Sequence, residues 1–88
     1  MQNALRQLAD EARREAALIA MGSPEHAFYE GVVVAAEDRL HLARRELHDD
    51  RWLAAQTPHF REGYVKASDI IATAGHAPVR LYLPSRTT

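Results

Sequence analysis

Cysteine is absent from the chain, which excludes disulfides, thiolate metal sites and a cysteine nucleophile. A basic excess is also missing: 12 acidic side chains stand against 11 Lys and Arg, for a net charge of −1. Nucleic-acid binders usually carry a clear positive surplus. Long hydrophobic runs are lacking too. The longest, Ala16–Met21 and Val32–Ala36, fall far short of the ~20 residues that cross a bilayer. The N-terminus mixes acids with arginines and does not resemble a signal peptide. Glycine and proline are scarce, four of each, so breaks in regular structure are few and their positions are informative. These absences describe a soluble, cytoplasmic-type chain without membrane insertion.

At 88 residues, 47% of them hydrophobic, the chain fits one small domain with a modest core. A bound partner or an oligomer is then a natural further source of buried area. The spacing of apolar residues is helical almost throughout. Leu5, Leu8, Ala12, Ala16 and Ile19 form one stripe and predict a first helix over about 3–21, with Asn3 as N-cap and Gly22 as the stop. Arg6–Asp10 and Asp10–Arg14 are spaced to pair on its outer face. Ser23 then caps a second helix with Pro24 in its first turn. Phe28, Val32, Ala35, Ala36, Leu40, Ala43 and Leu47 hold register over about 24–48. So short a link between the two predicts an αα-hairpin. A brief helix over 51–56 follows, with Asp49 or Asp50 as cap. Thr57 and Pro58 open a third long helix over 58–74, with Phe60, Tyr64, Ala67, Ile70, Ile71 and Ala74 facing inward. Residues 77–84, bounded by Pro78 and Pro84, read as an extended arm with Val79, Leu81 and Leu83 on one side. The expected fold is all-α: a helical hairpin, a third packed helix and a short extended C-terminal arm, in a single helical domain over 1–88.

One internal similarity stands out. Residues 28–37 and 60–69 share the pattern F-x-E-G-x-V-x-A-x-acid. Each copy places a glycine inside a helix, which costs about 1 kcal/mol against alanine, and an alanine one turn later. The pairs Gly31–Ala35 and Gly63–Ala67 are therefore helix-packing candidates, small residues that let another helix approach closely. They serve either a tight crossing of the second and third long helices within one domain, the reading we favour, or a subunit interface.

Residues that carry chemistry are few. His41 and His48 are seven apart, whereas paired zinc ligands on a helix usually sit four apart and need a third partner. Arg44 and Arg45 beside them would repel a cation. His26, His59 and His76 fall near helix ends as ordinary polar groups. Ser23 and Thr57 are explained as caps, and Ser68 has no histidine at a predictable distance. Glu37/Asp38 and Asp49/Asp50 are sequence neighbours whose carboxylates diverge on a helix. No phosphate-binding glycine loop occurs. No catalytic residue, metal or cofactor is expected, and the chain reads as a non-enzyme.

A protein partner is what remains. Leu18, Met21, Tyr29 and Val33 lie outside the main stripes and, with Trp52, Tyr82 and Leu83, exceed what one small core obviously needs. Apolar and aromatic side chains of this kind are common interface anchors. Tyr29, Val33, Trp52, Tyr82 and Leu83 are thus candidates for a partner or homodimer interface, with Trp52 equally able to close the end of the bundle. The alternative is a small DNA-associated transcriptional regulator using Arg39, Arg44, Arg45 and Arg51. Glu37, Asp38, Glu46, Asp49 and Asp50 interleave with those arginines and cancel most of their field, so nucleic acid is the less favoured partner.

The stretch Trp52-Leu53-Ala54-Ala55-Gln56-Thr57-Pro58-His59-Phe60-Arg61-Glu62-Gly63-Tyr64, then Ile70-Ile71-Ala72-Thr73-Ala74 and Val79-Arg80-Leu81-Tyr82-Leu83-Pro84, resembles small accessory proteins of Mu-like transposable phages and prophages of Pseudomonas. The similarity covers about the last third of the chain and carries no functional residue set. It implies an early phage product, acting in the host cytoplasm, that binds and inhibits a host protein. The type IV pilus assembly motor and a quorum-sensing regulator are targets known for proteins of that type.

Overall fold

The computed structural model describes residues 2–40, 50–74, 81, 83 and 84. Four helices appear in order: α1 (Gln2–Ala17), α2 (Pro24–Leu40), α3 (Asp50–Ala54) and α4 (Pro58–Ala74). No strand occurs among the described residues, and the fold class is all-α.

Helix α1 stops four residues before the end its apolar stripe suggests. Leu18 N–H bonds to the Glu15 carbonyl (3.1 Å) and Ile19 N–H to that of Ala16 (3.2 Å). These bonds to the third residue back tighten the last turn and satisfy carbonyls that a longer helix would have used. Gly22 therefore terminates the linking turn, not the helix. Its φ of +88° is a left-handed conformation that glycine adopts without penalty. At the other end α1 already includes Gln2, so Asn3 lies inside the helix instead of capping it.

Helices α2 and α4 begin alike. Ser23 Oγ accepts from the backbone N–H of His26 at 3.2 Å, and Thr57 Oγ1 from that of Phe60 at 3.3 Å. Each hydroxyl satisfies one of the free donors of a first turn, and each is followed by proline. The continuation of α2 to 48 falls on residues 41–49, outside the described residues. The brief helix is α3, which starts at Asp50 and closes with Ala55 N–H on the Trp52 carbonyl (3.1 Å) and Gln56 N–H on that of Leu53 (3.0 Å).

Helix α2 is the centre of the molecule, packing on α1 along one side and on α4 along another. The core comprises Leu5, Leu8, Ala9 and Ala12 of α1, Phe28, Val32, Ala35 and Ala36 of α2, and Tyr64, Ala67 and Ile71 of α4. Leu81, only 2% exposed, belongs to the same cluster, and Leu83 packs against it. Burying one such leucine is worth roughly 1.5–3 kcal/mol, which is the reason Leu81 docks on the protein's own core; of the extended arm expected over 77–84, residues 77–80 and 82 lie outside the described residues.

Candidate functional site

The crossing of α2 and α4 is built on the two interior glycines. A Cβ on Gly31 would stand 2.9 Å from the Tyr64 nitrogen and closer still to the Phe60 carbonyl oxygen. A Cβ on Gly63 would stand 2.8 Å from the Phe28 carbonyl carbon and closer still to its oxygen. The contacts are reciprocal: each glycine meets the backbone of the phenylalanine that precedes the other by three residues. The two F-x-E-G segments thus pack on one another with approximate two-fold symmetry inside one chain, in the manner of an isologous contact. Ala35 and Ala67, one turn further on, are fully buried.

Beyond the crossing, the Tyr64 hydroxyl donates to Asp38 Oδ2 at 2.7 Å. Asp38 is 7% exposed and is the one buried charged residue among those described. Read as a surface acid offsetting Arg39, it is instead turned inward, while its neighbour Glu37 pairs with Arg13 across to α1. The divergence of adjacent carboxylates on a helix produces both outcomes at once. Burial pushes the Tyr64 phenol above its ordinary value, and the adjacent Asp38 carboxylate adds to this, while Arg39 opposes it. A hollow of about 310 Å³ opens here, lined by Arg39, Asp50, Leu53, Tyr64, Ser68 and Asp69, with Val65 at its edge. Ser68 Oγ is buried without a hydrogen-bond partner among the described residues.

The second concavity is apolar. A groove of about 330 Å³ runs between α1 and α2, floored by Ala16, Ala17, Val33 and Val34. Polar pairs flank it: His26 Nδ1 and Glu30 Oε1 at 2.6 Å, and Arg13 with Glu37. Arg13 also holds Asp10 at 3.1 Å, in place of the Arg6–Asp10 and Asp10–Arg14 spacings. In the turn at one end of the hairpin, Leu18 and Met21 are 83% and 88% exposed.

The interface candidates do not gather into one patch. Tyr29 is half-buried, its ring edge-on to Phe28 at 5.2 Å and 88°. Val33 lines the α1–α2 groove. Trp52 lies on the other side of α2, half-buried against Phe60 (5.6 Å) and Tyr64 (6.5 Å). Leu83 rests on the core, and Tyr82 lies outside the described residues. Among the described residues the large hydrophobic side chains left exposed are Leu18 and Met21 in the α1–α2 turn and Val65 on α4. Of the histidines, His26 is engaged with Glu30 and His59 is exposed; His41, His48 and His76 lie outside the described residues. Among the described residues no group of three or more His, Cys, Asp or Glu is placed to hold a metal ion. No helix among them is long and apolar enough to cross a membrane.

Comparison with family models, curated proteins and solved structures finds no match to this chain.

Proposed function

We propose that this protein acts without catalysis, by binding another protein through the face formed by α1 and α2. The observation that carries this reading is the Leu18–Met21 ledge beside the apolar groove. Two large apolar side chains left almost wholly in water next to an apolar concavity are what an interface hides. In the setting implied by the resemblance to phage accessory proteins, the target is a host protein held stoichiometrically, such as a pilus motor or a quorum-sensing regulator.

Affinity capture from host lysate, comparing the wild type with Leu18→Glu and Met21→Glu, tests the reading. A partner retained by the wild type and lost by both variants supports it. Capture that is indifferent to both substitutions, or a column-bound DNA fragment released steeply by salt, speaks against it.

A further inference from the structure

We infer that the Tyr64–Asp38 hydrogen bond is a pairing selector: it keeps a self-complementary helix crossing within one chain and holds off the same crossing between two copies.

Self-complementarity follows from the repeat. Residues 28–37 and 60–69 carry one pattern, and each glycine meets the backbone at the other segment's phenylalanine. The features that let α2 and α4 approach so closely are therefore present on each helix alone. As far as backbone approach goes, α2 fits α2 of a second copy, and α4 fits α4, as well as the two fit each other. Selection between these pairings lies where the two segments differ. The relation that carries Gly31 to Gly63 also carries Val32 to Tyr64 and Asp38 to Ile70. Within the chain, Tyr64 meets Asp38 at 2.7 Å. The symmetry-related positions hold Val32, fully buried, and Ile70, partly buried against the core. Polar is thus matched with polar and apolar with apolar.

Between copies the matching fails. An α2–α2 crossing would set Asp38 of each chain against Val32 of the other, and an α4–α4 crossing would set each Tyr64 hydroxyl against Ile70. Asp38 is 7% exposed, so it would lose the phenol with little water to replace it. Bonds to a charged group are the stronger ones, and their loss is felt most by buried groups. Rejection of a wrong partner by such a mismatch is a general route to specificity, and one buried polar residue sets the pairing of coiled coils in this way. Connectivity does not forbid the alternative. Helix α2 ends at Leu40 and α4 starts at Pro58, a link that reaches on the order of 50 Å when extended and so joins two separate crossings.

Exchanging two residues, in Asp38→Ile/Ile70→Asp, tests the inference by sedimentation velocity across a concentration series, with thermal melting as the fold control. Composition and charge stay the same while the matching reverses. Within the chain, Tyr64 then faces the isoleucine placed at 38, and Val32 faces the aspartate placed at 70. Between copies, the α2–α2 crossing becomes wholly apolar and the α4–α4 crossing sets Tyr64 against the new aspartate. The dimer dissociation constant should fall by about tenfold or more relative to wild type. Adding Val32→Tyr and Tyr64→Val restores the within-chain match and should return association to the wild-type level, which destabilisation alone cannot do. Because each comparison is with wild type, any association through the α1–α2 face cancels. A folded exchange variant that associates no more tightly than wild type overturns the inference, as does a folded four-residue variant that stays dimeric. If the exchange variant shows no cooperative melt, Asp38→Ile/Tyr64→Val decides, because it makes all three crossings equally apolar. That variant should also dimerise more tightly than wild type by about tenfold or more. A folded monomer, or a second failure to fold, overturns the inference and leaves the bond with a role in stability alone.

Discussion

The Tyr64 hydroxyl and the Asp38 carboxylate, one on α4 and one on α2, meet at 2.7 Å in the interior. This bond joins the two helices beyond their glycine crossing and gives a buried carboxylate a partner in place of the water it loses. Removing the phenol takes one hydrogen bond from a buried carboxylate, and a bond to a charged group is worth about 1.5–3 kcal/mol. Tyr64→Phe should therefore destabilise the fold by an amount in that range, measured by urea denaturation. Asp38→Asn, which keeps an acceptor for the phenol, should cost less than Asp38→Leu.

The same pair sets an alkaline limit. Burial and the neighbouring carboxylate raise the Tyr64 phenol above its ordinary value of 10.0. The folded state thus holds this proton more tightly than the unfolded chain, and its contribution is fully present below about pH 10 and is lost as pH climbs from there through the raised folded value. Stability measured from pH 9 upward should fall in the wild type. The fall should be shallower in Tyr64→Phe, where only the remaining ionisations contribute.

Alanine is the better helix former, yet at the crossing it should be the worse residue. Gly63→Ala gains up to about 1 kcal/mol in intrinsic propensity but drives a methyl group into the Phe28 carbonyl. Backbone cannot rotate out of the way as a side chain can, and overpacking of this sort costs typically 1–3 kcal/mol or more. Net destabilisation is expected for Gly31→Ala and Gly63→Ala alike. Melting temperatures at or above wild type would contradict the backbone contact.

Leu81 is buried in the core cluster, so its truncation should be felt by the whole domain. Leu81→Ala should lower stability by about 2–5 kcal/mol, the range for leucine in a packed interior. A loss confined to a few tenths would place the segment outside the cooperative unit.

Much of this architecture was legible because helical periodicity and caps are local. Ser23-Pro24 and Thr57-Pro58 announced the starts of α2 and α4, and the stripes Leu5–Leu8–Ala12–Ala16 and Phe28–Val32–Ala35–Ala36 are the core. The small-residue spacing pointed to close helix approach, and the structure supplies the atoms that meet there. What was not legible depends on the third dimension. An aspartate between two other charged residues looks like surface; only the position of Tyr64, next to Gly63 at the crossing, brings a phenol to Asp38. The end of α1 was misplaced because Leu18 through Met21 continue the apolar run, whereas the chain must already be turning there to reach Ser23. Tyr29 and Trp52 looked like spare aromatics, yet each leans on a neighbouring ring. Leu18 and Met21 could be singled out from the sequence, but that they stay almost wholly exposed could not.

The reciprocal glycine contact also bears on the order of assembly. Gly31 and Gly63 are 32 positions apart, whereas α1 and α2 are joined by a turn of a few residues. Closing the short loop is entropically cheaper, so the hairpin is the natural early structure and α4 arrives on it later. Its arrival is not gradual. A contact between backbones offers no flexible side chain to bridge a partial approach, so nothing is gained until both helices stand at the final distance and angle. In kinetic terms, Gly31→Ala and Gly63→Ala should act as a matched pair. The symmetry of the crossing makes the two positions equally early or equally late, whichever side of the folding barrier it forms on.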